Sequence, residues 1–252
     1  MGFLRILIRT IAIFVAYFIF MWMGLALQIF LRCWGIKRRR YLARVIRQWA
    51  RCSCWIFNIE IKVAGDVEVS PGSLIAANHF GTPDIFVLGA LFPAFFVSKV
   101  EIASWPLFSI IARLGEAIFT DRSRKHQIKA VMTMVRGRLR EGQSVILFAE
   151  GKATDGRDVE AFMPSLFEGA VQAACPVVPV TLFYHDANQP SVACWRNTSF
   201  LHHILALLKL PKLEVTATVH PEIRDEPDRR LLAERTRDIV REKLLQMQEG
   251  DS

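Results

Sequence analysis

The longest feature in the hydrophobic pattern is at residues 11–31, "IAIFVAYFIFMWMGLALQIFL". This run has no charge, and Gln28 is its single strongly polar side chain. As a helix it is about 31 Å long, enough to cross a hydrocarbon core of ~30 Å. It is too long for the apolar region of a signal peptide, and no small-residue cleavage site follows it. It predicts a membrane anchor. Residues 40–57 predict a second helix, basic on one side and carrying Ile46, Trp49, Trp55, Ile56 and Phe57. That is the pattern of a helix lying at a membrane interface.

Beyond residue 57 the period changes. "NIEIKVAGDVEV" alternates at period two, with Ile59, Ile61 and Val63 on one face, and predicts a strand. Strands at "SLIAAN", "AFFVSK", "AIFTD", "SVILFAE", "VVPVTLFYH" and "KLEVTATVH" follow. Helices are predicted at 84–91 (opened by Pro83), 102–114, 125–140, 165–174 and 228–247. "SFLHHILALLKL", within 186–211, is an apolar helix candidate too short to span a membrane. The alternation predicts an α/β fold, a mixed central sheet flanked by helices. We expect two parts: residues 1–57 as membrane anchor and interfacial helix, and residues 58–252 as the functional domain.

The chain has 252 residues, 52% of them hydrophobic, a mean hydropathy of +0.26 and a net charge of +8. Much of the positive charge lies beside the apolar run: Arg32, Lys37, Arg38, Arg39, Arg40, Arg44, Arg47 and Arg51. Basic residues flanking a membrane segment favour the cytoplasmic side and attract anionic headgroups. Arg5 and Arg9 lie at the other end, so a single span and a helix that enters and leaves on one face both remain open. The basic run could also bind nucleic acid, but its place against an apolar segment favours the membrane. The five cysteines are odd in number and lack paired Cys-x-x-Cys spacings, which predicts reduced thiols and no structural zinc.

Three apolar strands end in polar turns: "NHFGTPD", "TDRSR" and "AEGKATDG". Ligands in α/β sheets gather where strands end, so the three together predict one site built from several loops. In the first, a Gly-Thr-Pro turn separates His79 from Asp84. A histidine is the natural general base near neutral pH, and a carboxylate on its far ring nitrogen fixes its tautomer. Alternatively Asp84 caps a helix and His79 is an ordinary loop residue. In the second turn Arg122 can bind phosphate bidentately or pair with Asp121. In the third, Glu150-Gly151 sets an acceptor beside flexible backbone N–H groups, or is a plain strand-to-loop turn.

Together these segments resemble the glycerolipid acyltransferase family. "NHFGTPD" matches its His-x-x-x-x-Asp motif. "GEAIFTDRSR", "LFAEGKATDG" and "CPVVPVTL" are similar to its second, third and fourth blocks, and the resemblance runs over roughly residues 60–225. It implies that His79 removes the proton of an acceptor hydroxyl and that Asp84 orients it. Arg122 would hold the acceptor's phosphate, Glu150 and Gly151 would shape the acceptor pocket, and Pro179 would help form the acyl-donor side. The implied reaction moves an acyl group from acyl-CoA or acyl-carrier protein to a lysophospholipid, foremost 1-acylglycerol-3-phosphate. No metal or cofactor is implied, and a cytoplasmic face of the membrane is the expected location. Ala149 and Lys152 stand where the family usually has Pro and Thr. The surrounding "TDGRD" and "MPSLFEGA" look closer to a bacterial branch acting on lyso-ornithine lipids. A lipid-binding protein that keeps the fold without turnover is the alternative of another class.

Overall fold

The computed structural model describes residues 2–30, 36–100, 106–120, 125–186, 190–196 and 198–250. Among these residues seven strands form one mixed sheet: β1 (Ile59–Ala64), β2 (Leu74–Ala77), β3 (Phe95–Lys99), β4 (Ile118–Thr120), β5 (Val145–Phe148), β6 (Val177–His185) and β7 (Leu213–Val219). Their spatial order is β1-β7-β6-β2-β5-β3-β4. Only β6 and β7 pair antiparallel; every other neighbouring pair is parallel. The central strands β2 and β5 are buried along their whole length. Their unbroken apolar sequences fit strands covered on both faces.

Among the described residues eight helices surround the sheet: α1 (Gly2–Phe30), α2 (Ile36–Phe57), α3 (Thr82–Leu91), α4 (Pro106–Leu114), α5 (Lys125–Arg140), α6 (Glu168–Ala173), α7 (Phe200–Lys209) and α8 (Arg229–Gly250). The short apolar candidate near residue 200 is therefore a helix, and α5 has its expected bounds. α6 is shorter than expected because a 3-10 turn, Pro164–Leu166, precedes it. α2 is not set apart from the sheet. Ala50, Cys54, Ile56 and Phe57 join the same buried core as the strands. Phe86 of α3 packs between the Trp49 and Phe57 rings, at 5.5 and 5.3 Å. A Cβ on Gly89 would come 2.8 Å from the Ala50 Cβ, so small residues on both helices set this close approach.

α1 begins nine residues earlier than its uncharged stretch. The reason is that Arg5 and Arg9 are satisfied by backbone. Arg5 donates to the Lys209 carbonyl at 2.7 Å, and Arg9 to those of Leu208 and Leu210 at 3.1 and 2.6 Å. These carbonyls belong to the end of α7, where a helix leaves acceptors unpaired. Near the other end of α1, Gln28 donates to the Leu114 carbonyl at 3.3 Å. The two attachments are about 35 Å apart at 1.5 Å per residue. One face of α1 thus lies along the α/β unit, while Leu7, Ile11, Phe14, Phe18, Trp22 and Ile29 are exposed on the other.

Candidate active site

β2 leaves the sheet at its carboxyl edge. Asn78 is buried there, donating to the Leu182 carbonyl at 2.9 Å and accepting from the Leu182 N–H at 2.8 Å. The turn is thereby tied to β6 before it starts. His79 follows, its ring stacked on Phe148 at the end of β5 with centroids 3.9 Å apart.

Asp84 is the third residue of α3 and is fully buried. Its Oδ2 accepts from His79 Nδ1 at 2.7 Å, from the Phe80 N–H at 2.6 Å and from the Gly81 N–H at 2.9 Å. Its Oδ1 accepts from the Tyr184 hydroxyl at 2.6 Å. The two alternatives for Asp84, helix cap and partner of His79, are one geometry. Four donors and the start of a helix suit an acceptor-only carboxylate. The hydrogen between His79 and Asp84 therefore sits on Nδ1, which in the neutral imidazole leaves the lone pair on Nε2. Nε2 has no hydrogen-bond partner among the described residues.

Tyr184 carries no signal in a strand-like sequence, since aromatic residues are ordinary there. Full burial, then the charge of Asp84, raise its pKa well above the usual phenol value and keep it a donor. The one available hint is general: a buried tyrosine hydroxyl needs a polar partner.

Glu150 follows β5. Its Oε1 accepts from the His79 N–H at 2.8 Å and its Oε2 from the Glu160 N–H at 2.9 Å. Both oxygens thus hold backbone, one of them that of His79. Gly151 adopts φ +82°, and its N–H closes a turn onto the Phe148 carbonyl at 3.2 Å. The loop beyond passes over the motif. Thr154 N–H donates to the His79 carbonyl at 2.8 Å, and Gly156, at φ +72°, touches the Phe80 ring so closely that a Cβ would lie 2.0 Å from it. Lys152 pairs with Glu160 at 2.9 Å at the exposed rim. Pro179 lies within β6 beside Ala76 of β2, and its carbonyl accepts from the His220 N–H at 3.0 Å. Arg122 lies outside the described residues. Among the described residues no three His, Cys, Asp or Glu side chains could share a metal ion.

Burial, above all, pushes the Glu150 carboxyl up to about 8, helped by the charges of Glu160 and Asp84 and opposed by its two backbone N–H bonds. A carboxyl raised in the folded state binds its proton more tightly there than in the unfolded chain. Its stabilising contribution is whole below the ordinary value of 4.5 and disappears as pH rises through about 8. Between those pH values the wild-type Tm is expected to fall relative to that of Glu150→Gln, by the equivalent of a few kcal/mol, on the order of the shift. Parallel melting curves for the two proteins across this range would refute the assignment.

Beside the motif, Thr82 and Trp195 open onto an apolar cavity of about 240 Å³. Ile13 and Tyr17 of α1 roof it, and Phe86 and Phe96 line its inner wall. The Trp195 N–H donates to the Phe80 carbonyl at 2.9 Å, joining the cavity rim to the His79 turn.

Residues 58–182 match the family model described as Acyltransferase. They contain His79, Asp84, Glu150 and Gly151 in the geometry above. The chain belongs to the acyltransferase family. This acyltransferase is 30% identical over 196 residues to the lyso-ornithine lipid O-acyltransferase of Rhizobium meliloti (strain 1021), covering 71% of this chain and 66% of that protein. It is 29% identical over 175 residues to the 1-acyl-sn-glycerol-3-phosphate acyltransferase of Neisseria gonorrhoeae, covering 68% of each. Its fold matches the crystal structure of the 1-acyl-sn-glycerophosphate (LPA) acyltransferase from Thermotoga maritima, with a TM-score of 0.70, 16% identity and 98% of both chains covered.

Proposed function

We propose that this acyltransferase esterifies the hydroxyl of a lysolipid with a fatty acyl group taken from a soluble thioester. The observation that carries the proposal is the His79–Asp84 pair, with Asp84 held in turn by Tyr184, in a turn whose Thr82 lines an apolar cavity. His79 takes the acceptor's proton as its oxygen attacks the thioester carbonyl, and Asp84 balances the imidazolium. The new ester bond forms, the carbon–sulfur bond breaks, and the proton leaves with the thiol. No acyl-enzyme or cofactor is needed. The cavity accepts the acyl chain, acyl-CoA or an acyl-carrier protein delivers it, and Arg122 is assigned to an acceptor phosphate.

Lysophosphatidic acid is the leading acceptor. The Lys152–Glu160 pair favours a second reading, because it sets both signs of charge beside Glu150. A headgroup bearing both an ammonium and a carboxylate, as in lyso-ornithine lipid, complements that rim. The test is thiol release by the purified full chain offered each acceptor separately. Release with lysophosphatidic acid alone selects the first reading, and release with lyso-ornithine lipid alone selects the second. No release with any lysolipid, from either acyl-CoA or acyl-carrier protein, would refute the proposal and leave a lipid-binding protein.

We also place the protein on the membrane as a one-sided attachment, with the site facing the cytoplasm. Both ends of α1 are bound to one α/β unit, and its free face is apolar. A helix held in this way is suited to lying within one leaflet.

A further inference from the structure

The basic run ahead of β1 divides into two surfaces. Arg38 and Arg39 turn inward. Both bond to Glu116, and Arg39 also reaches Glu141 at 2.6 Å. Arg40, Arg44, Arg47 and Arg51 recur at intervals of four, three and four, which an α-helix gathers into one stripe. Among the described residues no carboxylate pairs with any of these four. Arg47 and Arg51 each spend Nε on the Ala90 carbonyl, at 3.1 and 3.3 Å, and Arg44 lies over the Tyr41 ring. Like charges one turn apart oppose helix formation, so an uncompensated stripe is a cost that an external anion relieves.

The order of residues around α2 identifies that anion. Leu42, Val45 and Trp49 face α1. Next around the helix come Tyr41 and Trp55, the latter 78% exposed. The arginine stripe follows, and after it Ala50, against α3. Moving away from the apolar face of α1, the surface is therefore aromatic and then cationic. This is the depth profile of a leaflet: acyl chains, interfacial rings, phosphates. We infer that the arginine stripe of α2 docks on the phosphate layer of an anionic bilayer. The inference rests on the membrane attachment proposed above. An acidic protein partner does not account for rings that lie between the arginines and an apolar helix.

The test is a competition. The full chain, in detergent, is diluted into equal amounts of phosphatidylcholine vesicles and vesicles of mixed phosphatidylcholine and phosphatidylglycerol, and the two populations are separated by density. The ratio between them cancels the apolar contribution common to both. The wild type is expected to favour the anionic vesicles. Arg40→Gln with Arg44→Gln lowers the ratio by roughly 25-fold, about fivefold per arginine. Arg40→Lys with Arg44→Lys keeps it, and high salt collapses it. Arg136→Gln with Arg140→Gln, the same charge loss on α5, leaves it unchanged. An unchanged ratio in the α2 glutamine pair, or an equal drop in the α5 pair, overturns the inference. Protein recovered with neither population overturns the membrane attachment itself.

Discussion

Replacing His79 by alanine is expected to cut thiol release by roughly 10²- to 10⁴-fold, the range a positioned general base contributes. The fold should survive. The His79 ring is at the end of the sheet, stacked on one face of Phe148, and its side chain retains 17% exposure. Asp84 keeps three of its four donors in the variant, those from Phe80, Gly81 and Tyr184. A loss of about 1 kcal/mol, a few degrees in Tm for a chain of this size, is the structural effect. Acyl transfer and melting, measured on one preparation, check both halves. Turnover within tenfold of wild type would mean that another group takes the proton.

Asp84→Asn is expected to be almost as damaging to turnover and more damaging to the fold. The carboxylate holds the imidazole, caps α3 and accepts from Tyr184. An amide keeps one accepting oxygen, offers no charge to an imidazolium, and turns a donor toward a group that is already donating. Turnover should fall ~100-fold or more. Stability should fall by about 1–3 kcal/mol, because buried donors lose their partner. The two losses are separable: turnover is measured well below the variant's Tm, where the protein is folded. Tyr184→Phe is the companion variant, since it removes only the Oδ1 bond, and a smaller loss, about tenfold, is expected from it. An Asp84→Asn protein that is less stable yet fully active would reduce Asp84 to a helix cap.

The nearness of His79 and Asp84 was legible because both lie in one short turn, but that spacing left helix cap and imidazole partner as alternatives, and the structure has Asp84 do both. The elements were legible for a similar reason: the amphipathic period of α5 and the unbroken apolar runs of β2 and β5 are local signals. Tyr184 was not legible. It is a hundred residues from Asp84, and the two meet because β6 pairs with β2, which no local pattern reports. Asn78 is similar, since its two bonds to Leu182 depend on the same pairing. The start of α1 was misplaced because Arg5 and Arg9 read as flanking charges, while their real partners are carbonyls two hundred residues away. Glu150 was legible as a residue worth noting, but that both its oxygens would be taken up by backbone was not.

The first helix also sets a limit on how the protein can be handled. Cutting it away to obtain a soluble fragment would remove one wall of the cavity, because Ile13 and Tyr17 belong to that wall. It would also uncover the carbonyls at the end of α7 and the apolar surface beneath the helix. Such a fragment would have its apolar cavity opened to water. Under the membrane attachment proposed above, the helix that meets lipid and the helix that walls the cavity are the same one.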